Sequence, residues 1–168
     1  HVDSTLRHHV AALAQLKGKI PSIDLERAGV FGHSGGGFAS TRALLLYPGV
    51  YKAAVSSAGA HDLLRLYGPG WGHRYIGPYK GNEALYEKLS NPAYADRLED
   101  DLFLIHGEAD SEVTIAHTQQ LVDALIKANK DFDLLYVPGA DHGLMNHDYT
   151  AKRRWRFFRE RLYPAHDR

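Results

Sequence analysis

Apolar residues recur at helical spacing at Leu6, Val10, Leu13 and Leu16, and Gly18 reads as a stop. The rhythm then shortens. After a polar turn over 21–27, residues 28–32 form a short apolar run of strand type, and 36–47 read as a helix ended by Pro48-Gly49. A second apolar strand is predicted over 51–57. Between 60 and 92 the pattern dissolves into Gly, Pro, Trp and Tyr, with a helix predicted over Glu83–Leu89. A third strand follows at 102–106, an amphipathic helix at 114–129, and a fourth strand at 132–137. The last helix, 149–162, is expected to turn Trp155, Phe158 and Leu162 inward. Strands alternating with helices predict βαβ crossovers, a mainly parallel sheet of about four strands, and helices on both faces.

No internal repeat, low-complexity tract or linker interrupts this order, so the 168 residues are read as a single α/β domain. The segment 60–92 is long for a connection, and long loops in compact domains usually carry function. It lies where it can cover the C-terminal ends of strands two and three, the edge at which α/β sheets bind ligands.

Twenty basic and twenty acidic residues cancel, so no whole-chain field favours nucleic acid or an anionic membrane. The basic run of the last helix (Lys152, Arg153, Arg154, Arg156, Arg159 and Arg161) is read as a solvated face. No apolar run reaches the 18 residues that would suggest a membrane span. The absence of cysteine removes disulfides and thiolate catalysis, while leaving periplasmic, secreted and cytoplasmic locations all open. Eleven histidines invite a metal reading, but none forms H-E-x-x-H or another tight ligand cluster, so neither metal nor cofactor is expected. The chain opens at His1 with residues already helical, which is the expectation for a fragment or processed product.

One stretch carries chemistry. Val30 to Phe38, VFGHSGGGF, ends an apolar run in a serine among four glycines. Gly32-His33-Ser34-Gly35-Gly36 matches G-x-S-x-G at a strand-to-helix junction, the context of a nucleophile elbow. Glycine on both sides is expected to make room for the sharp turn, and the Gly35 N–H is placed to meet an oxyanion. A structural Gly-rich turn and a phosphate-binding loop are the alternatives; the latter lacks G-x-x-x-x-G-K-[ST].

A serine hydroxyl needs a base and an orienting acid, which in this arrangement follow in the order Ser, Asp/Glu, His. The third strand ends in Ile105-His106-Gly107-Glu108-Ala109-Asp110, and the fourth in Val137-Pro138-Gly139-Ala140-Asp141-His142-Gly143. Asp110 is the expected acid and His142 the expected base, with Glu108 and Glu112 as alternative acids. Asp141 is read as a turn residue, His106 as packing at the end of its strand, and His33 as wall or support beside the serine.

With the triad placed, the chain resembles the catalytic α/β-hydrolase domain of the prolyl oligopeptidase family, its dipeptidyl peptidase IV-like branch above all. Asp24-x-x-Arg27 and Val30-x-Gly32-x-Ser34-x-Gly36-Gly37 are similar to that family's approach to its nucleophile. His106-Gly107-x-Ala109-Asp110-x-x-Val113, Asp141-His142-Gly143 and Arg74-Tyr75-x-Gly77 resemble its other signatures. The resemblance runs from about Ser4 to Leu162. It implies Ser34 as nucleophile, Asp110 as acid, His142 as base, and a peptide substrate cleaved after proline or alanine. The implied substrate pocket includes Tyr67, Trp71, Tyr75 and Val113.

Two departures are local. Gly35 stands where the family usually has tyrosine, and Glu112 where the branch often has asparagine; both bear on proline preference. A third is larger. The family's β-propeller, first sheet strands and second oxyanion donor precede the region that this chain resembles. The strand carrying Ser34 is therefore expected to need cover from another copy, from the first helix or from an upstream segment. The isolated chain is expected to be a weak hydrolase. A carboxylesterase using the same triad, and an inactive fragment that self-associates, are the remaining readings.

Overall fold

A computed structural model describes residues 2–63, 74 and 76–163. Four strands, β1 (Gly29–His33), β2 (Ala53–Ser57), β3 (Asp101–Gly107) and β4 (Asp133–Val137), form one parallel sheet in the order β1-β2-β3-β4. The register pairs His33 with Ser57, Ser57 with Ile105, and Gly107 with Val137. All four strands therefore end on the same edge. The helices are α1 (Val2–Lys19), α2 (Gly35–Leu46), α3 (Glu83–Leu89), α4 (Ala116–Lys127) and α5 (Asp148–Leu162). The α/β architecture expected from the pattern is present, with the expected boundaries shifted by no more than two residues. Gly18 does not stop α1, which runs on to Lys19.

Strand alternation explains how the sheet is covered. Ala54, Leu102 and Leu104 pack on one face against Leu6, Ala43, Leu44, Leu45, Leu121 and Leu125 from α1, α2 and α4. Ala53, Val55, Phe103 and Ile105 point to the other face, where α5 brings Phe157 and Leu162. Neighbouring strands follow one another in sequence, and right-handed crossovers then place α2 and α4 together on one side. Leu121 and Leu125, spaced i,i+4 on α4, are fully buried, each contributing on the order of 1.5–3 kcal/mol. The opposite face of α4 carries the exposed Asp123–Lys127 ion pair at 2.7 Å.

α5 departs from expectation. Phe157, not Trp155, is its core residue, and Trp155 is 64% exposed. Among the described residues no strand lies beyond β1, so none lies beneath that side of the helix. Trp155 instead lines a shallow apolar hollow with Phe31, Phe158 and Tyr163 along the free edge of β1. The basic run is also not uniformly solvated. Arg153 lies over the Phe103 ring at 5.5 Å and Arg154 over Phe31 at 4.7 Å, while Arg161 pairs with Asp133 at 3.1 Å.

One buried cation ties the first helix to the rest. Arg42 on α2 is fully buried, pairs through Nε with Asp3 at 3.0 Å, and donates to the carbonyls of Ser90 and Lys88.

Candidate active site

The turn between β1 and α2 is the most strained point of the site. Ser34 has φ 57° and ψ −120°, a conformation that costs a non-glycine residue about 1–3 kcal/mol. Its N–H donates to the Ser57 carbonyl at 2.8 Å, and its own carbonyl accepts from Phe38 N at 3.0 Å, starting α2. The glycines around it serve unequal purposes. A Cβ on Gly32 would press into the Gly36 carbonyl, and one on Gly37 would lie 2.7 Å from the Ser57 carbonyl oxygen. A Cβ on Gly35 or Gly36 would meet nothing within 4 Å. The expected steric need on both sides of the serine is therefore met by Gly32 and Gly37, which let β1, α2 and β2 approach. Gly35 is exposed and opens α2, where the first-turn N–H groups have no intrahelical partner.

The loops after β3 and β4 interlock. Glu108 N donates to the Val137 carbonyl at 3.0 Å and Ala109 N to the Ala140 carbonyl at 2.9 Å. Gly107 permits this closeness, since a Cβ there would strike the Ala140 and Asp141 carbonyls. The result brings Asp110 and His142 together: His142 Nδ1 donates to Asp110 Oδ2 at 2.7 Å. Asp110 Oδ1 accepts from Glu112 N at 3.0 Å and Val113 N at 2.9 Å. The Asp110 side chain is 0% exposed and that of His142 17%. Burial pushes the Asp110 carboxyl up, but the His142 hydrogen bond and the Val113 and Glu112 amides outweigh it and hold the pKa below its ordinary value. With Nδ1–H donated to a carboxylate, a neutral His142 presents Nε2 as an acceptor.

The other acids stand aside. Glu108 and Glu112 are exposed, and the Asp141 side chain accepts from Gly143 N at 2.8 Å in the turn role expected of it. His142 reaches back across the sheet edge to β1, where its ring lies 4.6 Å from that of His33. Among the described residues no hydrogen bond joins Ser34 Oγ to His142.

Three further histidines sit beneath the site, fully or almost fully buried. His106 donates from Nε2 to the Val113 carbonyl at 2.8 Å and accepts at Nδ1 from Thr118 at 2.7 Å, with Asp110 Oδ2 3.5 Å away. It thus supports the acid's loop besides packing at its strand. His117 Nδ1 accepts from Asp62 N at 3.2 Å. His61 bridges Ser56 and Asn91. Burial lowers the pKa of all three, that of His117 to about 3 with the His106 charge adding to the effect. His61 and His117 carry no sequence signal, because their partners come from distant elements.

Val113 is buried, and its backbone brackets the Asp110–His106 pair. Tyr67, Trp71 and Tyr75 lie outside the described residues. Asp24 caps a short 3-10 turn, with Arg27 Nε 2.6 Å from its carboxylate. Among the described residues no group of three or more His, Asp or Glu could hold a metal ion, and no helix is long and apolar enough to cross a membrane.

Residues 3–163 match the Prolyl oligopeptidase family. The chain belongs to that family. Within it, the chain is 33% identical to human dipeptidyl peptidase 8 over 138 residues, 80% of this chain and 15% of that protein. It is also 31% identical over 133 residues to the rat protein named inactive dipeptidyl peptidase 10, covering 79% of this chain and 16% of that one. Among solved structures, Porphyromonas gingivalis dipeptidyl peptidase 4 superposes with a TM-score of 0.85 at 25% identity, over 93% of this chain and 22% of that one. These similarities support the α/β-hydrolase fold and the dipeptidyl peptidase IV-like branch, and this chain spans less than a quarter of the length of each of these three proteins.

Proposed function

We propose that the chain is the catalytic region of a serine peptidase of this family. Ser34 acts as nucleophile, His142 as general base and acid, Asp110 as orienting acid, and the Gly35 N–H as an oxyanion donor. The observation that carries the reading is the buried 2.7 Å Asp110–His142 hydrogen bond, set on the same sheet edge as a serine in a strained strand-to-helix turn.

The chemistry follows. His142 Nε2 takes the Ser34 proton as Oγ attacks the scissile carbonyl, and charge collects on the carbonyl oxygen facing the Gly35 N–H. Collapse breaks the C–N bond, and His142 returns the proton to the leaving amine. Water, deprotonated by the same imidazole, then releases the acid from the acyl-enzyme. Asp110 holds the Nδ1–H tautomer and stabilises the imidazolium without accepting its proton.

The named peptidases among the relatives support peptides as substrates. Tyr67, Trp71, Tyr75 and Val113 are proposed to contribute to the pocket for the residue before the scissile bond. Gly35 leaves that side of the serine open. We further propose that residues 1–168 form a single unit of such a domain.

A fluorophosphonate probe tests the reading: labelling of the chain, lost in Ser34→Ala, supports it. The similarity to a relative named inactive and the absence of a Ser34–His142 hydrogen bond favour a second reading, a triad retained only as scaffold. A folded chain that takes no label decides for that one. Comparing Gly-Pro and Ala-Pro anilides with a short acyl ester separates peptidase from esterase.

A further inference from the structure

His33 belongs to neither the triad nor the oxyanion turn, yet contacts from two elements converge on it. Its register partner on β2 is Ser57, and His33 Nδ1 lies 3.1 Å from Ser57 Oγ. The Ser57 carbonyl also takes the Ser34 N–H, so one β2 residue holds both 33 and 34. From the other side, the His142 ring packs on His33 at 4.6 Å with the planes tilted by 48°.

We propose that His33 is a positioning residue that fixes the ring plane of His142 from the serine's own strand. The inference rests on the serine-hydrolase reading of the site. A single hydrogen bond to Asp110 pins His142 at Nδ1 only, and the terminal torsion of a histidine ring is broad. A second ring against its face restricts that torsion, aiming Nε2 toward the turn that holds Ser34. Two points of support from different strands then define the imidazole, where either alone would let it swing.

The charge state of His33 suits this place. Burial first, and then the neighbouring His142 and His106, lower its pKa, while Asp110 and the His142 backbone oppose them. His33 therefore stays neutral when His142 becomes the imidazolium, and no second cation faces the one formed during the reaction.

The test compares His33→Ala and His33→Phe with the wild-type chain, all checked for folding by urea titration. With a p-nitrophenyl acyl ester, His33→Ala should lower kcat by about 10- to 100-fold with KM unchanged, the scale expected for a misaimed base. His33→Phe, which keeps a ring face, should restore kcat to within about threefold. Equal kcat in wild type and His33→Ala, a loss confined to KM, or equal damage in both variants overturns the proposal. A wild-type chain that neither hydrolyses the ester nor takes a fluorophosphonate at Ser34 removes the hydrolase reading separately. In that case the low-field proton resonance of His142 Nδ1–H decides for His33. A resonance sharp in wild type and His33→Phe and broadened in His33→Ala supports the positioning contact; equal line widths in all three overturn it.

Discussion

Acid should unfold this chain through its buried histidines, and His117 allows the size to be worked out. His117 is 1% exposed, its Nδ1 accepts the Asp62 N–H, and its folded pKa is about 3 against 6.5 for the free side chain. The unfolded chain takes up a proton near pH 6.5 and the folded chain only near pH 3. Between those values the unfolded state binds more protons, so stability falls as the pH drops. Well inside that window each pH unit costs about 1.4 kcal/mol; because the unfolded side chain is half protonated at pH 6.5, the step from pH 6.5 to 4.5 removes roughly 2.3 kcal/mol through His117 alone. His61 and His106, also lowered by burial, add in the same direction. Asp110 does not contribute there: its folded pKa is depressed below 3.8, so its stabilisation is lost only as the pH falls further. Against a total of about 5–15 kcal/mol for a typical domain, this is a large fraction. Urea titrations at pH 7.5, 6.5, 5.5 and 4.5 on the wild type and His117→Gln measure it. Between pH 6.5 and 4.5 the wild type should lose roughly 2.3 kcal/mol more than His117→Gln. Parallel curves across that window would show that His117 titrates normally in the fold, and would refute the reasoning.

Asp110→Asn keeps the shape of the acid but removes the charge that fixes the Nδ1–H tautomer, so ester hydrolysis should fall by about 10³–10⁴-fold with the fold intact; a loss under tenfold contradicts the triad assignment. Gly32→Ala drives a Cβ into the Gly36 carbonyl and should destabilise by roughly 2–4 kcal/mol in urea, whereas Gly35→Ala, with open space around it, should stay within about 0.5 kcal/mol. Arg42→Ala removes a buried cation from Asp3 and two carbonyls and should cost about 3 kcal/mol by thermal melt; Asp3→Asn, whose partner keeps those carbonyls, should cost less. Ala28 O and Ser34 N both bond across to β2, so the alternating N–H groups of Gly29, Phe31 and His33 point to the free side of β1. With Phe31 47% exposed beside them, the chain should self-associate in sedimentation, and Phe31→Lys should weaken it; a monomer at every concentration contradicts this.

What could be read in advance was what local spacing controls. Four apolar runs each ended in turn residues, and three of those ends carried Ser34, Asp110 and His142, so order along the chain already matched a triad on one sheet edge. Asp110, rather than Glu108 or Glu112, is the carboxylate that meets His142, and its Oδ1 accepts from the Glu112 and Val113 amides. What depends on where other elements stop was not legible. Trp155 and Phe157 are both aromatic residues on one helix, and which of them is buried follows from β1 being the last strand on that side among the described residues, a fact absent from the helix's own pattern.

The glycines make the same point at closer range. VFGHSGGGF suggested that the serine's immediate neighbours must be small, yet Gly35 and Gly36 meet nothing that a methyl group would disturb. The glycine that brings acid and base together lies in another loop: Gly107, outside the serine motif, lets the Ala140 and Asp141 carbonyls pass close enough for Asp110 and His142 to bond. A Cβ there would separate the two loops and leave every triad residue present in the sequence but apart in space. Gly107→Ala should therefore abolish the proposed hydrolysis, read with a p-nitrophenyl acyl ester, while Ser34, Asp110 and His142 remain, since the proposed triad depends on backbone approach as much as on its side chains.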